Sequence, residues 1–549
     1  MRRRDLLRDA AMLIPLTAAC APLRQPAPTP AAASASASLR TPVFVPFQGP
    51  APDIPGDSRG LPPGYNTFPA NVAASVAQPP GKGGSVNILT FTNAPAPPGV
   101  EQNGAWQEVN RQIGANLKIN AVAAPDYLTK LNTSISGGDL ADIFYASVIG
   151  TGLQNMPDFL SSQCADLTPF LSGDAIKDYP NLAAFPTFRW PFGTFNGKLY
   201  AIPAATITGQ ALLAKGRILD EAGIGDFKNA DDFMSAAKQL TKPGVQYAIG
   251  GTGSGYNSWN PLGWFMGVFR VPNDWRSVGG KLTKDIETDE FKAALAYVRS
   301  LWDAGVMNPD SPSMNLTQAA AAWYSGKNVL WQNGYFSFQL AWDRAKLQSQ
   351  DPDFRPRIVT PFAFDGGTAV HLLGNTSDSL TVLRKAPDER IRELLGILNY
   401  MVAPFGTREY LLLNYGVQDR DFSIGATGNP TLTQAGMSEV TTFPIWKMSA
   451  PPPVLFDPND AAFAKAASDA TAKALAIGVA SPVVGLFSKT ASVKAALLNQ
   501  PLSDGLYNIM FGRDGIDALD GLVKQWRANG GDAIRTELEQ ALQERGSAG

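Results

Sequence analysis

Hydrophobic and polar positions change period along this chain. Val86-Asn87-Ile88-Leu89-Thr90-Phe91 predicts a first strand, and apolar residues at helical spacing follow over 106–113. Lys118-Ile119-Asn120-Ala121-Val122 predicts a second strand. A helix over 127–135 follows, stopped by Gly137-Gly138, and Ala141-Asp142-Ile143-Phe144-Tyr145-Ala146 predicts a third strand. Strand and helix alternate, so the sheet should be largely parallel. Residues at the far ends of such strands, Asn93 after the first and Tyr145 on the third, sit where open α/β sheets bind ligands.

From 212 to about 350 the pattern turns mainly helical, with helices over 230–240, 289–304 and 316–324 and the apolar strand Asn328-Val329-Leu330-Trp331 after the last. Asp231 and Asp289 are the expected N-terminal caps. Arg357-Ile358-Val359-Thr360-Pro361-Phe362 and Ser379-Leu380-Thr381-Val382-Leu383 predict strands, and 387–401 an amphipathic helix. The order predicts an α/β fold of two lobes. Crossing strands near 204–212 and 356–362 join 85–205 plus 358–415 to 206–357 plus 416–549.

The first 84 residues follow another logic. Arg2, Arg3 and Arg4, a short apolar run over 10–19 and then Cys20 read as a signal peptide, 1–19, ending at a lipid-accepting cysteine. The alternative is an ordinary cleaved signal with an incidental cysteine. The apolar run is far shorter than the roughly twenty residues of a membrane span. Residues 20–39, dominated by Pro, Ala and Ser, form a tether. Over 40–84 Pro persists, but Phe44, Phe47, Tyr65 and Phe68 are spaced along it, as in an extended strap laid over a folded body; the alternative is a longer disordered linker.

Length and composition agree with this plan. A chain of 549 residues, 44% hydrophobic, exceeds one core. Charge is nearly balanced at 46 Lys+Arg against 48 Asp+Glu, and removing 1–19, with four Arg and two Asp, leaves 42 against 46. That balance points to neither nucleic acid nor an anionic membrane surface. Of the two cysteines, Cys164 is left alone if Cys20 is acylated, so the exported body needs no internal disulfide, and Cys164 should be a small buried hydrophobe.

Catalytic chemistry is scarce. His371 is the only histidine, and neither a nucleophile elbow nor a helical zinc motif is present. Gly193-Thr194-Phe195-Asn196-Gly197-Lys198 is one residue too short between its glycines for a phosphate loop, and Leu199 stands where Ser or Thr is required. Acid pairs for glycoside hydrolysis stay open among 48 carboxylates. Binding chemistry is richer. Of eleven tryptophans, Trp259 and Trp264 lie in Tyr256-Asn257-Ser258-Trp259-Asn260-Pro261-Leu262-Gly263-Trp264, and Trp331 in Trp331-Gln332-Asn333-Gly334-Tyr335-Phe336. Flat rings stack on the C–H faces of sugars while neighbouring amides bind the hydroxyls, so the mixture suits carbohydrate. Each ring is equally open to a core role, and Trp302 and Trp342 read as helix packing.

Four stretches carry a family likeness: Ser136-Gly137-Gly138-Asp139-Leu140-Ala141-Asp142-Ile143, Phe195-Asn196-Gly197-Lys198-Leu199-Tyr200-Ala201-Ile202-Pro203, Ser325-Gly326-Lys327-Asn328-Val329-Leu330-Trp331-Gln332-Asn333-Gly334 and Arg408-Glu409-Tyr410-Leu411-Leu412-Leu413-Asn414-Tyr415-Gly416-Val417. With them the chain resembles, over roughly 85–549, the extracellular solute-binding proteins of carbohydrate ABC importers. The likeness is to their large lipoprotein branch, associated with oligosaccharides such as aldouronates and alginate fragments. The resemblance implies a two-lobed, type II periplasmic-binding-protein-like fold. It also implies sugar binding between the lobes, delivery to ABC permease subunits, no catalysis and no cofactor. The expected contacts are Asn93 and Tyr145 from one lobe and Trp259, Trp264, Trp331, Asn333 and Tyr335 from the other, in a monomer tethered through Cys20 to the outer face of the cytoplasmic membrane. Some members carry a calcium loop after the helix matching 230–240; Thr241-Lys242-Pro243-Gly244-Val245 offers no such ligand set, so no metal is expected there. Gln418-Asp419 replaces the family's frequent Glu-Gly. A lipid-anchored glycoside hydrolase is the alternative reading.

Overall fold

β1 (Ser85–Thr92), α1 (Gly104–Ile113), β2 (Asn116–Ala123), α2 (Ala124–Gly137) and β3 (Ile143–Ala146) follow one another as their periodicity predicts. The computed structural model describes residues 40–57, 59–92, 96–146, 156–205, 209–253, 260–335, 356–374, 377–441 and 450–547. Asn103 caps α1 by accepting from the Trp106 N–H, and Gly114 (φ 71°) and Gly138 (φ 69°) end the two helices in the left-handed region. After β4 (Ala201–Ala205) the chain crosses into β5 (Gln210–Lys215), β6 (Tyr247–Gly250), β7 (Asn328–Gly334) and β8 (Pro356–Ile358), then returns as β9 (Ser377–Leu383).

Two sheets result, ordered β2-β1-β3-β9-β4 and β8-β5-β7-β6. β1 is parallel to β2 and β3, but β9 runs antiparallel to both β3 and β4. The first sheet is therefore mixed rather than largely parallel, because its last strand arrives from the other lobe. The expected strand over 357–362 is limited to β8, and the expected caps also shift. Asn229 and Thr288, not Asp231 and Asp289, accept the first N–H groups of α3 (Ala230–Leu240) and α5 (Asp289–Asp303); the two aspartates sit in the first turn, where the helix dipole favours their charge.

Each sheet is covered on both faces. In the first lobe Ile88, Ile143 and Leu383 pack with Trp106 of α1, and Leu89 and Phe144 with Tyr127 of α2. In the second, Leu212 and Leu330 pack with Phe265 of α4 (Pro261–Val268) and Phe291 of α5. On the opposite face Leu213 and Trp331 pack with Trp323 of α6 (Leu316–Tyr324). Cys164 is buried, and burial raises its thiol pKa. Asn196 (φ 49°) and Gly197 (φ 71°) form a two-residue turn between antiparallel Thr194-Phe195 and Lys198-Leu199, so this glycine-rich motif is a hairpin.

Residues 40–84 cross this body as extended chain with isolated bridges. The buried Glu409 of α8 (Arg408–Tyr415), which follows α7 (Asp388–Met401), accepts hydrogen bonds from the Ser75 N–H at 2.9 Å, the Val76 N–H at 3.1 Å and the Ser75 hydroxyl at 3.1 Å. Phe68 is buried among Phe405, Tyr410, Tyr415 and Phe456, edge-on to Phe405 at 5.0 Å, whereas Phe44 is largely exposed. Phe68→Ala should lower unfolding stability by about 3 kcal/mol, read by denaturant titration, because a large ring leaves a closed cluster. A loss below about 1 kcal/mol would mean the strap is only loosely seated.

Residues 416–441, expected with the second lobe, lie against the first lobe's α1. Glu439 accepts from the Gly104 N–H at 2.7 Å and holds Arg420 at 2.6 Å. Two later helices, α9 (Ala462–Ala476) and α10 (Lys489–Met510), pack on the second sheet through Phe463 and Leu506.

Candidate functional site

The chain returns to the first sheet between β8 and β9, later than the expected 356–362, and there the two crossings touch. Gly209, at the start of the first, has φ 64°, and a β-carbon there would stand 2.3 Å from the Leu372 carbonyl oxygen of the second. Only glycine combines that backbone with so close an approach. Beside this contact lies a cavity of about 210 Å³ lined by Gln210, Trp264, Asn273, Asp274, Asp285, His371 and apolar residues including Met266 and Phe362. Its volume is below the roughly 300–1,000 Å³ of a drug-sized site, so it suits one ring-sized group.

Trp264 is held from two sides. Asn260 caps α4, and the Gln332 side-chain oxygen on β7 accepts from the Trp264 backbone N–H at 2.6 Å. The ring is only 5% exposed, and among the described residues its indole N–H has no partner; the Gln210 side-chain oxygen and the Gln332 side-chain amide nitrogen are likewise buried and unpartnered there. Leaving a buried polar group unpaired costs about 1–3 kcal/mol, and of these side chains Trp264 and Gln210 line the cavity itself.

Charge in the lining is negative. Lys284 bridges Asp274 at 2.5 Å and Asp285 at 2.7 Å. Burial nevertheless pushes Asp285 up to about 6, against the pull of Lys284. Between roughly pH 4 and 6 the folded chain therefore keeps a proton that the unfolded chain has lost, and this group's contribution to stability falls as pH rises through that window. Asp285→Asn cannot ionise. Its melting temperature relative to the parent should rise between pH 4 and 6.5, by an amount worth on the order of 2 kcal/mol; a constant difference would show that Asp285 stays charged throughout.

The expected contacts divide between the two faces of β7. Gln332 pairs with Leu212 and shares the Trp264 side, whereas Trp331 and Asn333 pair with Leu213 and Ala211 on the other. Trp331 is 4% exposed, 5.6 Å from Trp323, in the interior of the second lobe and away from the cavity. Asn333 is buried and accepts from the Gly334 N–H. Tyr335, just past the strand, meets His371 edge-on at 5.3 Å and so reaches the cavity's border; burial raises its phenol pKa, and its hydroxyl has no partner among the described residues. In the first lobe Tyr145 stacks edge-on with Phe91 at 4.7 Å and with Tyr127 at 5.5 Å. Asn93, Trp259 and Cys20 lie outside the described residues. Sequence reasoning passed over Gln210, hidden as the first residue of an apolar strand, and Phe91, whose partial exposure at the end of β1 is a tertiary property.

Comparison with known proteins agrees with this architecture. A polygalacturonan/rhamnogalacturonan-binding protein, YtcQ of Bacillus subtilis (strain 168), is 25% identical over 457 residues, 80% of this chain and 88% of its own length. The fold is similar to the alginate-binding protein AlgQ2 without calcium ion (TM-score 0.61, 14% identity, 86% of this chain and 99% of that one). It is also similar to the N-glycan transport solute-binding protein NgtS of Streptococcus pneumoniae (TM-score 0.58, 16% identity, 84% and 98%). The profile of the bacterial extracellular solute-binding proteins matches residues 76–411, and the chain belongs to that family.

Proposed function

We propose that this protein captures a carbohydrate, in the form of an oligosaccharide, between its two lobes and hands it unchanged to the permease subunits of an ABC importer. The observation that carries the reading is the set of unpartnered buried polar atoms beside an aromatic ring at the lobe crossings: the Trp264 indole N–H and the Gln210 side-chain oxygen. A sugar hydroxyl both donates and accepts, so it completes both while its C–H face rests on a ring. His371 lines that pocket and Tyr335 packs edge-on against it; in this reading Phe91 and Tyr145, in ring contact at the strand ends of the first lobe, supply that lobe's side of the site, and Asn93 and Trp259 are expected contacts from their sequence positions. The names of the relatives, which specify glycans, support the same ligand class.

In this reading 85–205 and 377–441 form one lobe and 209–372 with 462–547 the other, hinged where Gly209 meets Leu372. Ligand favours closure because only the closed form lets both lobes touch it. Cys20 carries the lipid that keeps the protein at the outer face of the cytoplasmic membrane, and the protein acts as a monomer. Asp274 and Asp285 are both engaged by Lys284, which favours binding over acid–base work.

Thermal-shift screening against an oligosaccharide library tests the reading. A true ligand at a hundred times its Kd should add about 2.7 kcal/mol of stability, with the glycan recovered intact. No stabilising glycan, or the appearance of cleavage products, would reject it.

A further inference from the structure

A site that takes up acidic sugars must pair their carboxylates. A uronic acid enters a binding cleft ionised, and burying that charge without a cation is costly, so such sites use Arg or Lys, Arg above all for its fork geometry. This cavity is lined differently. Its charged members are two carboxylates, Asp274 and Asp285, and Lys284, the cation that touches them, is already committed to both. Among the described residues no Lys or Arg lines it.

The sequence around the strand ends says the same over a wider area. The stretches 91–100, 143–157, 199–214, 243–269, 328–342 and 366–377 contain no Lys, Arg, Asp or Glu, in a chain that is 17% charged. They hold the C-terminal ends of β1, β3, β4, β6 and β7 and the two lobe crossings, where α/β sheets of this kind meet their ligands. Apart from His371, their polar residues are neutral, as in Thr252, Asn260, Gln332 and Asn333. Neutral amides and hydroxyls suit hydroxyl groups and offer a carboxylate no countercharge.

Resting on the carbohydrate reading above, we infer that the ligand is a neutral glycan and that the site discriminates against uronic acids. Here the chain parts from the relatives named for alginate and polygalacturonan, both polymers of uronic acids.

Matched probes test this: mannuronate, galacturonate and glucuronate oligomers of defined length, each compared with the same oligomer after its carboxyls have been reduced to hydroxymethyl groups. Calorimetric titration of the mature protein at pH 7 should show, for every pair that binds, the reduced member at least about tenfold tighter than the acid. Equal affinity, or a tighter acid, would overturn the inference while leaving the carbohydrate reading intact. No binding by either member of any pair, together with a silent neutral-glycan library, would remove the carbohydrate reading and this inference with it.

Discussion

Trp264→Phe should weaken glycan binding about fivefold while the melting temperature moves by no more than a few degrees. Phenylalanine keeps most of the packing but removes the indole N–H, which has no partner among the described residues, and one neutral hydrogen bond to a ligand is worth about 1 kcal/mol. Trp264→Ala should do far more. The ring is 5% exposed within the second lobe's core, so its removal should cost about 3–5 kcal/mol of stability as well as binding. The pair separates two roles that alanine alone confuses. If the phenylalanine variant binds with parental affinity, the indole does not meet ligand and the pocket at the crossings is not the site.

Cys20→Ser should have an all-or-none effect on location. In the proposed form Cys20 carries a diacylglycerol through its sulfur, and because each buried methylene adds about 0.8 kcal/mol, desorption is negligible. Serine cannot be acylated through sulfur, so the variant should leave the membrane pellet and appear in the soluble extracytoplasmic fraction with glycan affinity unchanged. Mass spectrometry of the parental N-terminus should show the lipid. A variant that stays with the membrane would make the cysteine incidental.

Much of the fold was legible because its periods are clean. β1, α1, β2, α2 and β3 emerge from alternation, helical spacing and the stop at Gly137-Gly138. Strand direction was not: nothing local in Ser379-Leu380-Thr381-Val382-Leu383 tells that β9 returns from the other lobe and pairs antiparallel. The site was legible as chemistry more than as geometry. Trp264 and Tyr335 reach the pocket region, but β7 is buried along its whole length, and a strand covered on both faces gives no alternation to show that Trp331 faces the interior. Gln210 needed the third dimension, since its meaning depends on Gly209 meeting Leu372 across the crossings.

In the proposed function the two lobes form a clamp that closes on an unaltered glycan. Small-angle X-ray scattering of the mature protein, titrated with a glycan that stabilises it, tests this most directly. The radius of gyration should contract progressively and saturate at one equivalent, then return to its starting value when the glycan is dialysed out intact. A scattering profile unchanged at saturating glycan would contradict the account.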